Sequence, residues 1–158
     1  MDQKVKIALV STGLGHVWRG YERFTHDLFH LLKADVNLTL FKGGGTSGER
    51  EIVLPHFGRD GVLSLVRPHR KSYRDSYYFE TLSFFAFLLP CLISGQYDLV
   101  HFTDCPLANF FYHVRAKLNL RYRFKTLFTN GNPILDGACT RVDFLHQLTP
   151  GQVKAVID

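Results

Sequence analysis

The sequence predicts an α/β protein in which a parallel sheet carries helices on both faces. Three observations lead there. Short apolar runs alternate with segments of helical period. Each run is followed by a loop rich in glycine, asparagine or proline, and 158 residues with 46% hydrophobic content suit one domain with a sizeable core.

Residues 6–12 (KIALVST) read as a buried strand, and the loop 13–20 delivers the chain into a helix. Within residues 21–34, Phe24, Leu28, Leu31 and Leu32 recur at i, i+4, i+7 and i+8, so this face is expected to cover the sheet. Residues 36–41 (VNLTLF) form a second strand, followed by Lys42 and the glycine run 43–45. Between residues 49 and 96 the pattern is weaker; the helical part falls within 73–93, with Pro90 bending or ending it. Residues 97–103 (YDLVHFT) resume the strand pattern, and 106–118 form a crossover helix with Leu107, Phe110, Phe111 and Val114 towards the core. Residues 125–129 and 142–148 supply two further strands, and Thr149-Pro150 has the order expected where a helix starts. No internal repeat is visible. The alternation is that of a Rossmann-like sheet, whose ligands bind beyond the carboxyl ends of the strands.

A formal charge of +5 and a pI near 9.2 favour contact with anions: nucleotide phosphates, an acidic lipid surface or nucleic acid. Cys91, Cys105 and Cys139 are odd in number and lack a CxxC pair, so neither a disulfide framework nor a zinc site is suggested, and a reducing cytosol fits. The amino-terminal run 5–10 lacks the length and flanks of a signal peptide, which points to a cytoplasmic location. The apolar stretch 82–93 is shorter than the roughly 20 residues a spanning helix needs and contains Pro90. Arg67, Arg70, Lys71 and Arg74 precede the aromatic stretch 77–93, an order that suits peripheral contact with the inner face of a membrane through Phe84, Phe85, Phe87 and Leu88. The same stretch also reads as core.

Arg115, Lys117, Arg121, Arg123 and Lys125 form a second basic cluster, with Tyr122 and Phe124 available for stacking on bases. No nucleic-acid motif accompanies them, so a solvated helix end and loop is expected instead. His26 and His30 stand at i, i+4 within HDLFH, which is not HExxH, and read as a solvated helix face without metal.

The parallel order gathers the loops 13–20 and 42–45 with 104–106, 130–132 and 149–150 at one edge of the sheet. Glycines at 13, 15 and 20 are spaced more widely than G-x-G-x-x-G, and no Lys-Ser/Thr follows as in a P-loop. The second strand ends in Phe41-Lys42 where a dinucleotide fold holds ribose with a carboxylate, which disfavours a nicotinamide dehydrogenase. The glycines either let the backbone approach a phosphate at the helix start near Gly20 or serve only a tight turn. His101 reads equally as a satisfied buried histidine and as a cleft residue.

Arg19-Gly20-Tyr21-Glu22-Arg23-Phe24 resembles the entry to the first helix in the N-terminal domain of family 4-like GT-B glycosyltransferases: Gly-Gly or Arg-Gly, any residue, then Glu. The similarity extends through residues 39–45 (TLFKGGG) and 97–104 (YDLVHFTD), which is similar to the family's Tyr-Asp-Val-Val-His strand. It also takes in Thr129-Asn130-Gly131, where the family commonly has Thr-His-Gly. Asn130 can hydrogen-bond but does not titrate near neutral pH as histidine does.

The resemblance implies one half of a GT-B fold and transfer of a sugar from a nucleotide-sugar donor to an acceptor the sequence does not identify. The partner half, a C-terminal donor-binding domain, is expected to be absent from this chain, which is then inactive alone. Gly20, Arg19 and Glu22, with Gly15, are expected to face the donor phosphate, and Asp104, Asn130 and His101 to lie on the acceptor side of the cleft. No cofactor and no metal are implied. The competing class is a non-catalytic Rossmann-like module that binds phosphate or a membrane surface.

Overall fold

Alternation along the first strand sets the architecture. In a computed structural model, which describes residues 5–58, 73–120, 123–131 and 141–149, strand β1 (Lys6–Ser11) turns Ala8 and Val10 to one core and Leu9 to another, all three without solvent exposure. A strand buried on both faces belongs in the middle of a parallel sheet. The sheet has six parallel strands in the order β3-β2-β1-β4-β5-β6, formed with β2 (Asn37–Lys42), β3 (Glu51–Val53), β4 (Leu99–Phe102), β5 (Lys125–Asn130) and β6 (Phe144–Gln147). Ile7 of β1 lies opposite Leu38 of β2 and Leu99 of β4, and Val10 opposite Phe41 and Phe102.

Helix α1 (Gly20–Leu32) packs on one face, where Phe29 joins Leu9, Leu38 and Leu40. Helices α2 (Tyr73–Gly95) and α3 (Cys105–Lys117) cover the other, where Phe84, Phe85, Leu88 and Leu92 meet Phe102, Leu107 and Phe111. Each such apolar side chain taken fully from water contributes about 1.5–3 kcal/mol, so the larger cluster dominates the stability of the fold. The Rossmann-like sheet with helices on both faces is therefore present as the sequence predicts.

Four local features differ from the sequence reading. The packed face of α1 is Glu22, Thr25 and Phe29 with Leu28 and Leu32 partly buried beside them, so the predicted face holds at Leu28 and Leu32 and fails at Leu31, which is 72% exposed. Glu22, expected to face a phosphate, and Thr25, outside the apolar period, are buried over the carboxyl end of the sheet. Strand β3 escapes periodicity because it is three residues long and lies at the sheet's edge. It is reached from β2 by the loop 43–50, which turns back through left-handed backbone at Gly45 (φ 75°) and Arg50 (φ 58°). Helix α2 does not end at Pro90: the proline stands on its exposed side, and burial of Leu88 and Leu92 on the other side offsets the lost hydrogen bond. The segment Ser76–Gly95 is long and apolar enough to cross a membrane by length and composition, more than the run 82–93 suggested, and in this fold it covers the sheet.

The second basic cluster is not one surface. Arg115 is buried and pairs with Asp143, and Phe124 is a core side chain, unavailable for stacking on a base. Arg67, Arg70 and Lys71, the side chain of Arg74, and Arg121, Tyr122, Cys139 and the helix start at Thr149-Pro150 lie outside the described residues, Thr149 itself excepted.

Candidate functional site

In a parallel sheet the strand order reverses where consecutive connections leave in opposite directions, and a crevice opens beyond the carboxyl ends there. Here that point lies between β1 and β4, since α1 leaves β1 over one face while α2 enters β4 from the other. The predicted loops do meet at this edge. An open cavity of about 850 Å³ lies at the opposite edge, against Lys6, Asn37, Tyr97, Asp98 and Arg123, where strand amino ends offer no such crevice.

Asp104 closes the crevice from the β4 side. One of its oxygens accepts the Thr12 N–H at 2.8 Å and the other the Tyr77 hydroxyl at 2.8 Å, so it ties β1 and α2 together and does not cap α3, which it precedes. Burial pushes its carboxyl above the usual carboxylate range, and the like charge of Glu80 pushes the same way against those hydrogen bonds. Beneath it, Thr103 donates to the Val10 carbonyl at 3.2 Å, and Thr25 of α1 lies 3.2 Å from the Thr103 hydroxyl.

The two glycine loops pack backbone on backbone. The Gly44 N–H donates to the Leu14 carbonyl at 2.9 Å. A Cβ on Gly15 would stand 2.1 Å from the Gly44 carbonyl oxygen, at a φ of 97° that side chains rarely adopt, and one on Gly43 would stand 2.2 Å from the Thr12 oxygen. Gly15 is thus required by the fold itself. Glu22 bends over Gly13, where a Cβ would lie 2.4 Å from its carboxylate, and its second oxygen is buried without a hydrogen-bond partner. Gly20 differs: it opens α1, is exposed, and a Cβ there would meet nothing within 4 Å. Arg19 precedes it in extended backbone and makes no side-chain cap, so the first N–H groups of α1 have no acceptor from that side chain.

Asn130 ends β5 and donates to Gln147 of β6 at 3.1 Å, while the Tyr21 hydroxyl accepts the Gly131 N–H at 2.8 Å and joins α1 to this loop. His101 lies inside β4, 2.7 Å from the Thr129 hydroxyl, which in turn contacts His146 at 3.1 Å. Burial, with His146 nearby, lowers its pKa to about 4, so it is neutral at physiological pH. The structure therefore brings Gly15, Gly20, Arg19, Glu22, Asp104 and Asn130 to one edge and sets His101 within the sheet beneath it.

Sequence reasoning did not mark His16, His56, Glu80, Tyr21, Tyr77 or Trp18. Trp18 is 77% exposed immediately before α1, an apolar surface at the helix entrance. His26 and His30 are exposed on α1, their ring centroids 4.4 Å apart.

No family model matches the chain, and no curated protein matches it. Among solved structures the chain is similar to sucrose-phosphate synthase from Thermosynechococcus elongatus, with a TM-score of 0.53 and 17% identity, over 82% of this chain and 33% of that one. At this identity the likeness establishes the fold, and the chain spans about a third of the length of that glycosyltransferase.

Proposed function

We propose that this chain is the acceptor-side Rossmann-like half of a GT-B glycosyltransferase of the family 4-like type, acting on a nucleotide-sugar donor. The observation that carries the reading is the open entrance of α1: Gly20 is exposed with free space around it, on the uncapped end of a helix beside the crevice between β1 and β4. Backbone N–H groups and the positive end of the helix dipole suit a diphosphate there. Likeness in fold to sucrose-phosphate synthase supports the same reading.

In the transfer, the bond between the anomeric carbon and the phosphate oxygen breaks, the nucleoside diphosphate leaves with the electron pair, and an acceptor oxygen bonds to the carbon and releases its proton. The residues of this half bind and orient. Gly20 and Arg19 meet the phosphate, and Trp18 offers a face for a sugar or base to stack on. Asp104 holds the crevice closed from beneath, and Asn130 supplies hydrogen bonds on the acceptor side. The second half, a donor-binding domain, completes the cleft, and the chain alone is inactive.

Peripheral contact with the inner face of a membrane belongs to the same proposal. Of the residues expected at the membrane, Phe84, Phe85 and Leu88 are core and Phe87 is exposed. Contact therefore falls to Phe87 with Tyr78, Phe79 and Leu82, also exposed on α2, which follows the basic residues Arg67, Arg70 and Lys71 in sequence. Binding to anionic vesicles is then expected to weaken with salt; salt-insensitive binding, or none, removes this part.

Activity is tested by assaying nucleoside diphosphate release from a panel of nucleotide sugars, with the chain alone and joined to a donor-binding domain. Turnover is expected from the two-domain form alone. Enzyme-like turnover by the isolated chain rejects its dependence on a second half, and no turnover by either form rejects the function.

A further inference from the structure

Three side chains distant in sequence meet beneath the glycine loops. His16 comes from the loop after β1, His56 from the segment after β3, and Glu80 from α2. The His16 Nε2 lies 2.6 Å and the His56 Nε2 3.6 Å from the same Glu80 oxygen, the two imidazoles stack with centroids 4.7 Å apart, and one ligand atom from each residue falls within 4.8 Å of the others. We propose that His16, His56 and Glu80 form a binding site for a zinc-class divalent cation with one coordination position open.

The donor set is two imidazoles and one carboxylate, which suits zinc and leaves a fourth, tetrahedral position for water or a ligand oxygen. Bonds of about 2.0–2.1 Å place tetrahedral ligands about 3.4 Å apart, so the spacing of His56 from Glu80 already fits and that of His16 opens by less than an ångström. His16 has room for that movement, since its side chain is 30% exposed at the loop.

The surrounding residues orient the ligands as metal sites require. His56 Nδ1 faces the Leu54 carbonyl at 3.5 Å, an orientation that turns Nε2 towards Glu80. Ser83 donates to the Glu80 carbonyl at 2.9 Å and accepts the Phe57 N–H at 2.9 Å, fixing the segment that carries His56 to the helix that carries Glu80. Glu80 has no solvent exposure, and a carboxylate so placed is best offset by a cation. Gly43 lies against both rings: a Cβ there would stand 3.0 Å from His16 and 3.2 Å from His56.

The site is independent of sugar transfer, so its test uses metal binding alone. The purified chain is titrated with zinc by calorimetry and with cobalt by visible absorption. The expected result is one ion per chain with the intense visible bands of four-coordinate cobalt. His16→Ala and His56→Ala should each weaken binding at least about tenfold, by analogy with the loss seen even for outer-shell partners, and the His26→Ala/His30→Ala pair should leave it unchanged. Histidine nitrogen NMR of the unsubstituted protein gives a second readout, in which zinc shifts His16 and His56 and spares His26, His30 and His101. Absence of binding, binding lost only with His26 and His30, or shifts confined to that exposed pair would overturn the site.

Discussion

The two sides of the sheet's carboxyl edge are built by opposite means. Around β1 and β2 the glycine loops meet backbone on backbone at Gly15 and Gly44, with the His16 and His56 rings against Gly43. Around β5 and β6 the space is filled by polar side chains that answer one another, His101 with Thr129 and His146 and Asn130 with Gln147, as Arg115 does with Asp143 and Thr126 at the amino ends of the same strands. A backbone-lined surface next to a helix start leaves N–H groups for a ligand, whereas most groups of the polar ladder already answer one another, the buried Gln147 Nε2 excepted. On the proposed function the β1 side meets the donor, and the β5–β6 side supports it and presents Asn130 to the acceptor.

Substitutions at the two sides should fail for different reasons. The largest effect is expected from Gly15→Val, which places a branched side chain at positive φ against the Gly44 carbonyl oxygen. Such strain with a backbone clash costs about 3 kcal/mol or more, to be read as loss of the cooperative unfolding transition or a steep fall in its midpoint. A near-normal midpoint would mean that the two loops can part.

On the polar side, His101 is expected to make stability depend on pH. Its folded pKa of about 4 lies below the usual 6.5, so the unfolded chain takes up the proton first as pH falls through that window. The contribution of His101 is fully present above pH 6.5 and is lost by about 3 kcal/mol as pH drops to about 4. His101→Gln should remove this share of the acid loss in denaturant titrations at several pH values; an unchanged slope would place the proton elsewhere.

Arg115→Ala takes the guanidinium from Asp143, which keeps the Thr126 N–H and hydroxyl as donors, and should cost about 2 kcal/mol, less than a fully buried pair because Asp143 keeps those bonds and some solvent. Tyr21→Phe probes the seam between the two sides. The hydrogen bond to the exposed Gly131 N–H is lost, so about 0.5–1 kcal/mol is expected.

The same contrast explains what the sequence disclosed. The strands β1, β2, β4 and β5 and the helix α3 were legible, because their buried positions follow the period of the element, as Leu107 and Phe111 do. The face of α1 was read in part: Leu28 and Leu32 pack as the period implies, but Thr25 is buried against Thr103 and Glu22 over Gly13, contacts that no local period records. The glycine loops were visible as a site, but composition alone does not distinguish Gly15, fixed by packing, from Gly20, free of it. His16, His56 and Glu80 gave no signal at all: their separations match no ligand motif, and only the crossover through α2 brings them together.

The free space at Gly20 makes it the most direct test of the proposed function. Gly20→Val adds bulk that the fold itself does not meet, so the unfolding midpoint should stay near that of the parent. In the two-domain enzyme the same variant should lose donor binding and transfer, because the added methyl groups occupy the approach of the diphosphate to the helix start. Loss of donor affinity with an intact fold is the predicted result. An intact fold with the parent's donor affinity and rate would contradict it and leave the loop as a turn.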